Sequence, residues 1–333
     1  MKILKFGGSS LATADRVRNV AEIIEAAIVK GPVTVVVSAL GGVTDDLIAA
    51  SDAAAGGDRY DDAITAIKDR HHTAADELAS SDEVEQVVTF FDEVFEELDK
   101  VLHGASLVGE CTPRTLDAVL SCGERLSAQL VAAALRTGGT PAEYCDARRL
   151  IATDREFGNA RVEMETTTKR VNEFFASREA TQVVTGFIAA DAGGETTTLG
   201  RGGSDYTAAL LGAALAADCV EIWTDVDGVM SADPRLVADA FSLPALSYDE
   251  LMELSHFGAK VVYPPTLHPA RTHSVPIVIR NTFNLVAPSL DCENLTFWEH
   301  GATEEHPAGD RDPPAPSDGR KDARGTGRRQ AAR

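Results

Sequence analysis

The feature that most limits how this chain can fold lies in its first forty residues. KILKF, residues 2–6, has the composition of a short strand, and PVTVVVSAL, residues 32–40, that of a strand buried on both faces. Between them TADRVRNVAEIIEAAIVKG, residues 13–31, places apolar side chains three and four apart and closes on a glycine. That spacing predicts an amphipathic helix, started by Thr13. A strand, a helix and a strand so close together join most economically as a parallel βαβ unit, so the chain is expected to be α/β.

Later segments extend the alternation. QVVTGFIAAD (182–191), DCVEIWTDV (218–226) and VPIVIRNTF (275–283) read as core strands. DEVEQVVTFFDEVFEELDKVLHG, residues 82–104, lies in an acidic, helix-rich stretch that predicts a helical hairpin or cluster with its acidic face in water. DAVLSCGERLSAQLVAAALRTGG, residues 117–139, is a second long helix whose apolar side is interrupted by Gly123 and Glu124.

Of 333 residues 44% are hydrophobic, enough for one large domain or two lobes with a shared core. The formal charge is −21, and only eight of the 31 basic residues are lysine. Such a surface stays solvated where salt screens its self-repulsion, which reads as a protein of a high-salt cytoplasm. It offers no basic field to nucleic acid. Five scattered cysteines form no CxxC pair, so no zinc site is expected. Met1 opens directly into a strand pattern and no apolar run reaches the length of a membrane span, so a cytoplasmic protein without membrane contact is expected. From residue 293 the sequence loses all periodicity and fills with Gly, Pro and charge, the composition of a disordered tail.

Seven stretches carry residues suited to chemistry. KFGGSS (5–10) puts a lysine before two glycines at the end of a strand, where exposed N–H groups and a following helix can hold an anion, although two glycines in such a turn are also ordinary. VVSALGGVTDDL (36–47) repeats the arrangement, with its helix capped by Thr44, and two such turns at the carboxyl ends of adjacent strands would face each other across a ligand crevice. In CGERLS (122–127) the carboxylate of Glu124 inside an apolar helix must find a cation or donors: either an internal partner, such as Arg125 of a neighbouring chain, or a substrate ammonium. GRGGSDYTAA (200–209) offers Arg201, whose fork fits a carboxylate, and Asp205, which either caps the next helix with Ser204 or takes an ammonium. Downstream, TDVDGV (224–229) suits nucleoside hydroxyls or a magnesium ion through water, and Arg235 in SADPR either meets phosphate or a surface partner. In FGAKVVYPP (257–265), Lys260 is placed to emerge at a crevice edge.

Taken in order, KFGGSS, CGERLS, GRGGSDYTAA, IWTDVDGV, DPR and FGAKVVYP closely resemble the aspartokinases of the amino-acid kinase family, over residues 1–288. The resemblance implies a three-layer αβα sandwich around an open, mainly parallel sheet, in two lobes: residues 1–199 for the amino acid and 200–292 for the nucleotide. It implies transfer of the ATP γ-phosphoryl group to the side-chain carboxylate of L-aspartate, with magnesium accompanying ATP and no protein metal site. It places the reaction at the first step of aspartate-derived amino-acid biosynthesis, toward lysine, threonine and methionine, in a homo-oligomer. Lys5 resembles the lysine that balances the moving charge, Gly7, Gly8 and Ser9 its phosphate turn, and Ser38 and Gly42 the facing turn. Glu124 resembles the ammonium acceptor, Arg201 the α-carboxylate clamp and Asp205 a further organising carboxylate. Thr224, Asp225, Asp227 and Met230 resemble the adenosine pocket, Arg235 a phosphate contact and Lys260 a second nucleotide-side lysine. A kinase of glutamate or N-acetylglutamate, or a non-catalytic partner of a longer aspartokinase, are the alternatives.

The chain departs from the family twice. Where members show VLHPRT after FGAK, Val262, Tyr263 and Pro265 stand for the leucine, histidine and arginine. Members also continue past NTFNPEAPGT into two ferredoxin-like regulatory units, whereas NTFNLVAPSL is followed here by too few residues for one. If the chain is complete, feedback by lysine or threonine through that module is expected to be missing.

Overall fold

In the computed structural model, residues 1–285 are described except 233–235, 238, 244, 257–262 and 264–266. Arg235, Lys260 and the tail at 293–333 therefore lie outside the described residues. In chain order the strands are β1 (Lys2–Phe6), β2 (Val33–Val37), β3 (Ala142–Cys145), β4 (Ala152–Thr153), β5 (Thr181–Thr185), β6 (Ile188–Asp191), β7 (Thr196–Thr198), β8 (Cys219–Thr224) and β9 (Ile277–Asn281). The helices are α1 (Ala14–Ile28), α2 (Val43–Gly56), α3 (Asp61–Leu78), α4 (Ser81–Val108), α5 (Pro113–Thr137), α6 (Met164–Phe175), α7 (Gly203–Ala214), α8 (Tyr248–His256) and α9 (His268–Thr272).

Six strands form the main sheet in the order β3-β5-β2-β1-β8-β9, with every neighbouring pair parallel. A second, three-stranded sheet runs β4-β6-β7. Alternation along β1 decides what each face of the main sheet receives. Leu4 and Phe6, with Val35, Val37, Val183 and Trp223, enter a core built with α1 through α5. Ile3, with Val36, Val184, Val220 and Ile222, enters a second core with buried residues of α6, α7 and α9. Helices on both faces of a parallel sheet make the three layers that the family resemblance implies. Each fully buried Leu or Phe in these layers contributes about 1.5–3 kcal/mol, so a polar residue at position 4 or 6 would be severe.

The predicted helix after β1 forms, and Thr13 is its N-cap, its hydroxyl accepting the N–H of Arg16 at 3.3 Å. The acidic stretch is an α3–α4 pair: Val87, Phe91, Val94, Phe95, Leu98, Leu102 and Ala105 face inward and the acidic residues between them face water. Long, apolar α5 meets the length and composition of a membrane span, yet it is buried as the central helix of this layer.

Three local expectations need correction. QVVTGFIAAD is two strands, not one: β5 stays in the main sheet and β6 passes to the small one. The chain turns between them at Gly186, where a Cβ would lie 2.6 Å from that of Ser204, and at Phe187, whose φ is +67°. Helix α2 is capped by Gly42 rather than Thr44, because it starts two residues earlier than its first polar side chain suggests. Helix α7 is likewise capped by Gly202, which leaves Ser204 and Asp205 inside its first turn, free to reach sideways.

Candidate active site

Strand β1 lies between β2 and β8, so the order of connections reverses around it, and the carboxyl end of such a strand opens into a crevice. The two glycine turns sit there. Ser10 N–H closes the first on Gly7 O at 3.0 Å, and Ser38 N–H ties the second back to Phe6 O at 3.1 Å. They touch through their backbones: a Cβ on Gly41 would stand 2.8 Å from the carbonyl oxygen of Gly8, which no larger residue tolerates. The facing pair expected from sequence is thus a single double turn holding Gly7, Gly8, Ser9, Ser38 and Gly42. Arg16 braces its outer side by donating to the carbonyl of Ser9 at 2.6 Å.

Pleating sends Lys5 to the α7 side of the sheet, opposite Leu4 and Phe6. Its Nζ lies 2.7 Å from Asp205 Oδ1, with both side chains nearly buried. The same amine stands 3.5 Å from where a Cβ on Gly7 would be, so it lies directly over the first turn. Asp205, left open between capping and charge organisation, pairs with Lys5. Beside it, Ser38 Oγ donates to Ser204 Oγ at 3.0 Å, joining the second turn to the same helix end.

Glu124 reaches the crevice from the other layer. Gly123 makes this possible, since a Cβ there would lie 2.8 Å from Ala39 Cβ and hold α5 off the turn. Glu124 Oε1 accepts the N–H of Ala39 at 3.2 Å, while Oε2 is buried without a hydrogen-bond partner among the described residues. Burial pushes this carboxyl up to about 8, only partly opposed by its backbone hydrogen bonds. Among the described residues no cation pairs with it, and Arg125 instead meets Glu97 Oε2 at 2.8 Å. Within the chain, then, the internal-partner reading of Glu124 finds no support from Arg125.

Arg201 stands exposed at the rim, one turn before Asp205, with its guanidinium carbon 5.4 Å above the Tyr263 ring. It makes no ion pair with another described residue. Tyr263, one of the departures from the family pattern, is thus the surface on which this arginine rests.

On the β8 side, Thr224 ends the strand and its carbonyl accepts Thr282 N–H at 2.8 Å. Its hydroxyl donates to Asp225 Oδ1 at 3.2 Å. Asp227 Oδ1 accepts from Asn281 Nδ2 at 2.7 Å and Asn284 Nδ2 at 3.1 Å, and its carbonyl accepts from Ser242 Oγ at 2.8 Å. Met230 pairs with Ser242 as an isolated bridge. Ser10 Oγ meets Thr282 Oγ1 at 2.7 Å, which fastens the first glycine turn to this loop. Sequence reasoning missed Ser127, Asn281 and Thr282 in these roles. NTF, which ends the last strand pattern, was the available signal for the last two; for Ser127, which donates to Ser38 O at 2.6 Å, there was only its place in CGERLS.

The arrangement brings an amine over the first of two touching glycine turns and a buried carboxylate with one unpartnered oxygen against the second. It suits a small zwitterion beside a phosphate donor. The amino acid kinase family profile matches residues 1–281. The chain is 39% identical over 292 residues to a chloroplastic bifunctional aspartokinase/homoserine dehydrogenase of Daucus carota, covering 86% of this chain and 31% of that protein. It is 37% identical over 297 residues to chloroplastic aspartokinase 1 of Arabidopsis thaliana, covering 86% and 51%. The crystal structure of E. coli aspartokinase III in complex with aspartate and ADP superposes with a TM-score of 0.79 at 31% identity, covering 87% of this chain and 63% of that one. The chain thus spans about a third of the carrot protein and half of the Arabidopsis one.

Proposed function

The chain belongs to the amino acid kinase family, and we propose that it is an ATP-dependent aspartate kinase. An oxygen of the aspartate side-chain carboxylate attacks the γ-phosphorus of ATP. The new O–P bond forms as the bond to the β,γ-bridging oxygen breaks, and the electron pair leaves with ADP, giving 4-phospho-L-aspartate. A carboxylate is already a nucleophile, so the site needs alignment and positive charge rather than a general base.

The observation that carries this reading is the buried, unpartnered Oε2 of Glu124 beside the double glycine turn. A carboxylate oxygen desolvated in this way awaits a cation, and the substrate ammonium supplies one. Arg201 grips the α-carboxylate from the rim. Lys5, set over Gly7 by Asp205, lies where the phosphoryl group passes, and the N–H groups of the two turns hold its oxygens. Thr224, Asp225, Asp227 and Met230 receive the adenosine, Arg235 a phosphate, and Lys260 the nucleotide side. Magnesium would ride on the ATP phosphates, for which exposed Asp225 at the end of β8 is a suitable neighbour. It would add positive charge to the transferring oxygens. The net charge of −21 fits a cytoplasm rich in salt.

Aspartate, glutamate and N-acetylglutamate tested with ATP, reading ADP release and hydroxylamine trapping of the acyl phosphate, separate the alternatives. Aspartate is expected to support both signals. N-acetylglutamate, which has no ammonium for Glu124, is expected to support neither. Equal turnover of N-acetylglutamate would overturn the assignment.

A further inference from the structure

Asp117 lies two turns before Glu124 on α5, and it is buried. Seven residues on a helix return to the same face about 10 Å along the axis, so the two carboxylates share a side of α5. Among the described residues Asp117 pairs with no cation. Its Oδ2 accepts Gly158 N–H at 2.9 Å and Thr198 N–H at 2.9 Å, and its Oδ1 accepts the Thr198 hydroxyl at 2.7 Å. Burial pushes this carboxyl above its ordinary range even though three donors pull the other way. An arrangement of that cost has to hold something in place.

Both segments that Asp117 grips lead to Arg201. Thr198 ends β7, and Arg201 follows three residues later. Gly158 precedes Asn159, whose Oδ1 lies 2.5 Å from where a Cβ on Gly200 would be, so this loop packs directly behind the turn that bears the arginine. Ala160 N–H closes the loop onto Thr198 O at 2.9 Å, and Leu199 N–H donates to Phe187 O at 2.9 Å. The turn before Arg201 is therefore held from two sides by one carboxylate of the helix that carries Glu124.

We propose that Asp117 is a positioning residue for the amino-acid substrate: by joining Thr198 and Gly158 to α5, it sets the distance between the Arg201 clamp and Glu124. The inference rests on the proposed roles of those two residues. It concerns the spacing of the two ends of the substrate, not the nucleotide side, which gives it a distinct kinetic signature.

The test compares KM for aspartate and for ATP in Asp117→Ala, Asp117→Asn, Thr198→Val and, as reference, Arg201→Ala. Asp117→Ala is expected to raise KM for aspartate about tenfold or more and to leave KM for ATP within about twofold. Asparagine can turn its oxygen to the two N–H groups and its amide to the Thr198 hydroxyl, so Asp117→Asn is expected to return KM for aspartate to within about threefold of wild type. Thr198→Val keeps both backbone bonds, and a rise of about threefold for aspartate alone is expected; it decides the matter if Asp117→Ala does not fold. Unchanged KM for aspartate in Asp117→Ala and Thr198→Val, with Arg201→Ala impaired, overturns the positioning role alone. So does a parallel rise in both KM values that Asp117→Asn fails to rescue. Unchanged KM for aspartate in Arg201→Ala overturns the clamp reading on which the inference stands.

Discussion

With aspartate as the proposed substrate, the state of Glu124 makes its binding depend on pH in a way that can be worked out in advance. Its carboxyl is held at about 8 by burial, against an ordinary value of 4.5. Near pH 7 only about a tenth of the free protein carries the charge that an ammonium needs. Binding aspartate there should release close to one proton, and KM for aspartate should fall about eightfold between about pH 7 and about pH 8.5, flattening above. The raised value has a second consequence of fixed sign. Between 4.5 and about 8 the folded state binds more protons than the unfolded chain, so the free protein loses stability as pH rises through that window. Aspartate should recover that loss. Titration calorimetry in two buffers of different ionisation enthalpy counts the proton, and initial rates across the pH range give KM. Glu124→Gln should abolish the proton release and the pH slope and raise KM for aspartate at least about a hundredfold. A KM that does not move between about pH 7 and about pH 8.5, or a slope that survives in Glu124→Gln, would refute the reasoning.

Other perturbations reach other parts of the molecule. Lys5→Ala removes the amine over Gly7 and leaves Asp205 without that partner, so kcat should drop at least about a hundredfold with substrate KM values within a few-fold; near-normal kcat would contradict the role. Tyr263→Ala frees the Arg201 guanidinium from its ring, and KM for aspartate should rise about twofold to fivefold, read from the same initial rates. The His71 imidazole is buried against Phe91 and Phe95, with Nδ1 2.7 Å from Ile67 O, Nε2 unpartnered and a pKa pushed down by burial to about 4. Since the unfolded chain protonates this group first, stability falls as pH drops from 6.5 toward 4. Urea unfolding should show about 2 kcal/mol lost by about pH 5 relative to neutral pH, and this part of the loss should vanish in His71→Leu. With a net charge of −21, Tm should climb as KCl rises from about 0.1 M to about 1 M, and a flat Tm would speak against the high-salt reading.

What could be seen in advance divides by distance along the chain. The βαβ start, the Thr13 cap, the two glycine turns and the odd glutamate in α5 are local signals, each set by periodicity or by a residue type in the wrong environment, and they are readable in one dimension. The contact between Gly8 and Gly41 followed from placing two such turns at the ends of neighbouring parallel strands. Asp117 escaped notice because nothing in DAVLSCGE distinguishes a buried anchor from a polar residue at a helix start; its meaning comes from Thr198, 81 positions away. Asn281 behind Asp227 and Ser204 beside Ser38 are hidden for the same reason. The break between β5 and β6 was missed because GF reads as an ordinary strand pair, and only the packing of α7 against Gly186 forces the turn.

A crystal structure with aspartate and ADP bound would show both ligands against Glu124, Arg201 and Lys5 at once. The substrate ammonium is expected against Glu124 Oε2, the α-carboxylate on Arg201, and Lys5 Nζ between the side-chain carboxylate and the end of the nucleotide diphosphate. Aspartate bound away from Glu124, or a nucleotide whose phosphates avoid the double glycine turn, would contradict these placements.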